Sequence, residues 1–381
     1  MELADGRRTK HHRGSRITRI PYSRTATNRE RSMALVPVKL RGRDLKPHKA
    51  TRSPEFGSRT VLTNNPWEYV SLWLQRNNLP NALFYWSQAH AFSAASRSLP
   101  VESAPLLHYY TFMNATKALL VAKGVAIHEG HGVGKHNMLG NSATIDLDNE
   151  GVHIRNKGVL PALSLHLQES ELTSNHSMRE LLFNVPCVHR TFCITYQAQE
   201  DMFIPLTDCQ YVVDTGSMDA YLIGRLSVDF DDPKFMGRLP ATLIADPGNG
   251  SSRDFRSVKT VRVSGPTLTT VADVAAISEL NDYLRPDLQY IAGAQTLWYA
   301  KANVAGPTRL QRSPLTATLA AMHRLSELSR YHPMELSQFF AGPQNWLLNE
   351  FIQMSPGQFL DEISAEITGH QCMAPNVRPA T

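Results

Sequence analysis

Ser103-Ala104-Pro105-Leu106-Leu107-His108-Tyr109-Tyr110-Thr111-Phe112-Met113-Asn114-Ala115-Thr116-Lys117-Ala118-Leu119-Leu120-Val121-Ala122-Lys123-Gly124 is the stretch that decides the fold class. Ser103 stands where an N-cap is wanted. Pro105 falls in the first turn, where a missing N–H costs nothing, and Gly124 stops the helix. Between these signals apolar side chains cover most of the circumference, so the helix is expected to be central. Its one polar stripe is His108, Thr111, Asn114 and Lys117, three residues apart. The stripe reads first as a partly solvated face, and second as a pair, Asn114 and Lys117, projecting into a pocket.

Upstream, Pro66 introduces Trp67, Tyr69, Val70, Leu72, Trp73 and Leu74 at helical spacing, predicting a helix to about residue 76. The Asn77-Asn78-Leu79-Pro80 break then leads to a second helix over 81–98, and the two form a hairpin. Downstream comes the densest group of candidate ligands: His128, Glu129, Gly130, His131, Gly132, Val133, Gly134, Lys135 and His136. Histidines and a carboxylate suit a divalent cation or acid–base chemistry, and a glycine-rich backbone can approach an anion closely. The spacing is neither HExxH nor GxxxxGK[ST], and the glycines predict an ordered loop.

Residues 142–265 change character. Alternation at 143–147, a turn at 148–151 and alternation at 152–155 predict a hairpin, with more strands near 192–197, 210–213, 220–228, 241–244 and 258–263. One helix, 177–185, interrupts them. Residues 246–251 read as a turn between strands, and Asp229, Asp231 and Asp232 as an exposed loop. No GxGxxG and no βαβ alternation occur, which disfavours a dinucleotide fold, and no cofactor is expected. Helices return at 270–284 and 314–329, followed by Arg330-Tyr331-His332-Pro333. A short apolar helix at 346–352 and a last one opened by Pro356 close the chain.

Charge is unevenly spread along the 381 residues. Positions 1–60 hold 16 Lys or Arg against 5 Asp or Glu, a balance of +11, while 61–381 hold 23 against 29, a balance of −6. The net +5 therefore comes from the amino-terminal segment and cannot argue for a basic folded surface. With Pro21, Pro37, Pro47 and Pro54 and no periodicity, residues 1–60 are expected to be a disordered tail. It is open to three readings: a nucleic-acid arm using Arg13, Arg16, Arg19, Arg24, Arg29 and Arg31, a targeting peptide, or an extension ahead of a second start at Met33. The 42% hydrophobic content excludes a wholly disordered protein, and no run is long enough to span a bilayer. Cys187, Cys193, Cys209 and Cys372 form no CxxC pair. They read as buried small hydrophobes in a reducing, cytoplasmic setting, with zinc the minor reading and no metal site assigned.

Several segments together resemble the YaaC-like family: Asn65-Pro66-Trp67, Asn81-Ala82-Leu83-Phe84-Tyr85-Trp86, Pro105 to Tyr110 with Asn114 and Lys117-Ala118-Leu119-Leu120, and His131-Gly132. Arg179-Glu180-Leu181-Leu182 with Val185-Pro186 and His189 belong with them, as do Ser329-Arg330-Tyr331-His332-Pro333 and Trp346-Leu347-Leu348. The resemblance spans roughly 65–370 and implies homology without an assigned reaction. The tyrosine-rich helices are also similar to the HEPN helical RNases, but the Arg-x4–6-His spacing of that chemistry is absent beyond residue 60.

The expectation is an α+β protein in which helices from 61–141 and 269–372 pack into one mainly helical core, with 142–268 as an inserted antiparallel β region and 373–381 frayed. The expected function is a non-enzymatic or regulatory binding protein for nucleic acid or a nucleotide-like anion, with no membrane partner. Asn114, Arg330 and Tyr331 are the binding candidates. The alternative is a phosphodiester hydrolase with His131 or His136 as acid or base and Lys117 or Arg330 stabilising negative charge. Convergence of these side chains is what would favour chemistry.

Overall fold

A computed structural model of the chain describes residues 35–140, 146–246, 251–304 and 309–374. The first ordered segment carries β1 (Leu35–Pro37), β2 (Lys39–Leu40), β3 (Arg43–Asp44) and β4 (Val61–Leu62). The tail boundary expected at residue 60 therefore falls inside the folded body, and of that expected tail only residues 1–34 lie outside the described residues. Val38, Leu40, Leu45 and Phe56 are buried here, enough apolar surface to offset the prolines. Two of the basic residues are held by carboxylates. Lys49 Nζ donates to both Asp361 oxygens at 2.9 and 3.0 Å, and Arg52 Nη1 to Asp282 at 2.9 Å. The arm residues Arg13, Arg16, Arg19, Arg24, Arg29 and Arg31 fall outside the described residues.

α1 (Pro66–Arg76), α2 (Pro80–Ser96) and α3 (Ala104–Ala122) follow where the periodicity placed them. Asn65 Oδ1 caps α1 by accepting from the Glu68 N–H at 3.3 Å. Trp86, fully buried, packs on Trp67 with ring centroids 4.5 Å apart and donates its indole N–H to the Trp67 carbonyl. α3 is buried along most of its length. β5 (Val133–Asn137), β6 (Glu150–Ile154) and β7 (Asn175–Ser177) form a small antiparallel sheet. α4 (Val159–His166), α5 (Met178–Phe183) and α6 (His189–Thr195) complete this part. The expected hairpin is thus replaced: β6 pairs with β5, and residues 141–145 lie outside the described residues.

β8 (Phe203–Asp214), β9 (Asp219–Leu226), α7 (Pro233–Met236), β10 (Leu243–Ala245), β11 (Asp254–Ser257) and β12 (Val261–Arg262) come next. Then follow α8 (Val271–Leu284), β13 (Leu288–Ile291), β14 (Leu297–Lys301), α9 (Pro314–Tyr331), α10 (Pro333–Ala341), α11 (Asn345–Thr368) and β15 (Cys372–Met373). The last helices were expected as two separated at Pro356. They are one, with Pro356 inside α11, and Gly369 in the left-handed region ends it.

The β region is not an insertion into a helical core, which corrects the expected architecture. Eight strands form one antiparallel sheet in the order β10-β11-β9-β8-β14-β13, with β1 added to β8 and β12 to β9. It draws strands from residues 35–37 and 288–301, far outside 142–268. The physical reason lies in β8, twelve residues long and bulged between Thr207 and Gln210, so that its two halves take different neighbours. The sheet has its own apolar core, in which Tyr211, Leu222 and Phe255 meet Ile277, Leu280 and Leu284 of α8. A second core joins α1–α3, α9 and α11, with Phe112 stacked on Phe359 at 4.2 Å. So α8 serves the sheet, and the helical core is completed by α9 and α11.

Candidate functional site

β5 and β6 set the position of the histidine loop. Val133 pairs with Ile154, and the Arg155 N–H donates to the Gly132 carbonyl at 2.8 Å, so Arg155 is brought beside His131. The first turn of α4 closes the loop from below. Its Val159 and Leu160 N–H groups donate to the carbonyls of Gly130 and His131 at 3.0 and 3.1 Å. That helix end is therefore already occupied by backbone.

The close approach depends on two glycines. Gly132 has φ +77°, and a Cβ there would meet the Pro161 Cδ at 2.3 Å. Gly158 has φ +133°, and a Cβ would lie 2.3 Å from the backbone of Gly132. Gly158→Ala is accordingly expected to destabilise the protein by about 1–3 kcal/mol, the range for strained backbone. Because the collision is with the histidine loop, the variant should also weaken ligand binding there. Thermal unfolding checks the first effect; unchanged melting would contradict the account of the loop.

Behind the loop stand Tyr109 of α3 and His323 of α9, both buried. The His131 ring stacks on Tyr109 with centroids 5.5 Å apart, and His323 meets Tyr109 edge-on at 4.9 Å and His131 at 5.8 Å. The Tyr109 hydroxyl and His131 Nδ1 share a short hydrogen bond. Burial pushes the Tyr109 phenol up, with further push from Tyr110 and Glu327, so the hydroxyl keeps its proton and donates. With Nδ1 accepting, the neutral imidazole carries its proton on Nε2.

Positive charge surrounds this ring. His131 lies below its ordinary pKa because of desolvation first and then the charges of Lys117, Arg330 and Arg155. His323 is held down at about 3 by burial, then by His131, Arg330, Arg324 and Arg155. Both rings are therefore neutral near pH 7. Arg324 is fully buried and committed elsewhere: its Nε donates to Glu150 at 2.9 Å and its Nη1 to Glu327 at 3.2 Å. Lys117, Arg155 and Arg330 differ, since none of the three pairs with a carboxylate among the described residues. Lys117 lies 5.5 Å over the Tyr85 ring and Arg330 4.8 Å over Tyr331, contacts that orient a cation without neutralising it.

Three of the residues singled out in the sequence thus converge: Lys117, His131 and Arg330. The polar stripe on α3 divides. Asn114 is buried, and its amide donates to the Tyr110 carbonyl at 2.8 Å, a helix-internal bond. His136 stands on β5 opposite Gly151 and makes no ring or ion-pair contact with the His131 cluster among the described residues. Tyr331 is exposed beneath the Arg330 guanidinium. Tyr109, Arg155 and His323 escaped the sequence reading. The signal for His323 was there, in polar positions 323, 324, 327 and 330 recurring along one side of a helix whose apolar positions alone were read.

The sequence model of the YaaC-like protein family matches residues 49–367. No curated protein and no solved structure matches. No helix among the described residues is long and apolar enough to cross a membrane.

Proposed function

The chain belongs to the YaaC-like protein family, and we propose that it binds a phosphate-bearing, nucleotide-like anion at the patch formed by Lys117, His131, Arg155 and Arg330. The observation that carries this reading is that Lys117, Arg155 and Arg330, none paired with a carboxylate among the described residues, all lie close enough to the exposed His131 ring to hold its pKa down. A phosphate supplies the missing negative charge, and guanidinium groups suit its oxygens in fork geometry. The His131 Nε2–H adds a neutral donor. Tyr85 and Tyr331, already under cations, offer ring faces on which a base can stack. Desolvated cations would be costly, and here Arg155 and Arg330 are exposed, so the site can wait empty in water.

A second reading, phosphodiester hydrolysis, is favoured by one observation: an acid–base group, His131, sits among charges that stabilise a developing oxyanion. In its assigned tautomer the neutral ring donates a hydrogen bond from Nε2 to a phosphoryl oxygen, which fits stabilisation of developing negative charge; proton donation to a leaving oxygen requires the imidazolium, which the neighbouring cations disfavour.

Titrating the full chain with a fluorescent nucleoside triphosphate tests the first reading. Lys117→Ala and Arg330→Ala should each weaken binding about tenfold, the size of one charge-assisted hydrogen bond. Affinity equal to wild type in both variants would refute the site. Tighter binding of single-stranded RNA than of the nucleotide would shift the ligand to nucleic acid. Turnover of an RNA phosphodiester that vanishes in His131→Ala while binding persists would establish the second reading; no turnover by the wild type would remove it.

A further inference from the structure

Away from this patch, three side chains of different chemistry point at one spot. α6 carries His189 and Cys193 one turn apart on the same face, and Asp201 follows just before β8. The Asp201 carbonyl is fixed by Arg238 Nη2 at 2.5 Å, so the carboxylate is presented from an anchored backbone. His189 Nε2 lies 3.3 Å from Asp201 Oδ1 and 3.5 Å from Cys193 Sγ, and Sγ lies 3.8 Å from the same carboxylate oxygen.

We propose that His189 Nε2, Cys193 Sγ and Asp201 Oδ1 are three ligands of a zinc(II) site, with the fourth position left to water.

The triangle has the dimensions of one face of a zinc tetrahedron. Bonds of about 2.3 Å to sulfur and about 2.0–2.1 Å to nitrogen and oxygen require edges of about 3.5–3.6 Å involving sulfur and about 3.3 Å between nitrogen and oxygen. The three separations fall on or within about 0.3 Å of those values. The donor set is one that zinc accepts, with imidazole, thiolate and carboxylate together.

Hydrogen bonding alone does not account for the cluster. The Met202 N–H points at His189 Nε2 from 3.2 Å, which requires a bare nitrogen. A bare nitrogen then faces the Asp201 oxygen at 3.3 Å, lone pair against lone pair. Placing the proton on Nε2 repairs that contact and spoils the Met202 one. In both cases Nδ1 has no partner among the described residues. A nucleophilic Cys-His-Asp triad is excluded by the same geometry, since thiol and carboxylate both address Nε2, where a triad uses the two ring nitrogens. A cation at the centre satisfies oxygen, nitrogen and sulfur at once, and a coordinate bond outcompetes the long Met202 contact. The Cys193 thiol gives its proton to solvent as the thiolate binds. Arg190, 3.8 Å from Asp201 with a side chain 68% exposed, is free to swing outward. Cys193 and Asp201 are only partly buried, so the fourth position reaches water. Filled, the site clips α6 to the entrance of β8.

The test strips the purified full chain with a chelator and titrates it with cobalt(II), then zinc. The expected result is one equivalent of cobalt, a thiolate-to-cobalt charge-transfer band with tetrahedral ligand-field absorption, and displacement by zinc. Cys193→Ser should abolish the charge-transfer band, and Asp201→Asn should weaken zinc at least about tenfold. A folded wild type without a thiolate band overturns the proposal, as does a band that survives in Cys193→Ser. The wild-type spectrum decides the matter even where a variant fails to fold, and binding by histidines elsewhere produces no sulfur band.

Discussion

Replacing Arg324 with methionine should cost the protein about 3–5 kcal/mol of stability, the range for removing one partner of a buried ion pair. The side chain is fully buried in α9, and its Nε and Nη2 both donate to Glu150 Oε2 while Nη1 reaches Glu327. Glu150 is itself buried at the head of β6, so the single substitution strands a carboxylate with no route to water. The pair as a whole is another matter, because its mutual attraction only roughly repays the desolvation of both charges. Arg324→Met combined with Glu150→Met should therefore recover most of the loss. Urea denaturation of the wild type and the two variants measures this, and a single-variant loss under about 1 kcal/mol would show that the pair does not tie α9 to β6.

Acidification should unfold the protein between about pH 6 and 4, and the cause is imidazole rather than carboxylate. His48 is held at about 3 by burial and then by Arg285, His176 at about 4 by burial and then by Arg312, and His323 at about 3 by burial and then by its cationic neighbours. Geometry supports two of these directly. Arg312 Nε donates to His176 Nε2 at 2.9 Å, and the Ala50 N–H to His48 Nδ1 at 3.0 Å, so both rings serve as acceptors. Unfolded histidines protonate near pH 6.5. Below that pH the unfolded state binds more protons than the folded one, and stability falls with each step down until the folded values are reached. Each ring contributes about 1.4 kcal/mol per pH unit. Glu362 opposes them: burial raises it to about 7, so the folded state takes up a proton first between pH 7 and the ordinary carboxylate range. His108 and His166, both held at about 4 by burial first, add to the three rings, so the balance leaves at least three histidines' worth of slope. Calorimetric melting across pH 4–7 checks this, and His176→Gln should flatten the curve; a profile level down to pH 4 would contradict it.

How much of this could be read from the sequence depends on whether the deciding interactions are local. α1, α2, α3 and α8 are written in proline, capping and apolar period, all within one or two turns, and the structure places them where those signals do. α6 was expected as a strand because Phe192, Ile194 and Tyr196 alternate. Phe192 is instead buried against Phe183 from a helix, a tertiary choice that alternation cannot register. The sheet is illegible in the sequence for the same reason, since its strands at 35–37 and 288–301 are short and acquire their identity only from β8. At the candidate site, Lys117, His131 and Arg330 were recognisable by chemistry. Tyr109 and His323 were hidden because each lies in a helix whose apolar residues dominate its reading, and Arg155 because its place depends on the β5–β6 register.

The amino-terminal strands have a consequence for how the chain reaches this state during synthesis. β1 needs β8, nearly two hundred residues later, and Lys49 needs Asp361, 312 residues on. β4 has its partner only in β15, among the last residues described. β1 can pair once β8 has emerged, whereas β4 and Lys49 wait for residues more than three hundred positions on, so closure there is a late, slow event set by long-range contacts. Until those partners arrive, Lys49 and the edge of β4 stay exposed to solvent.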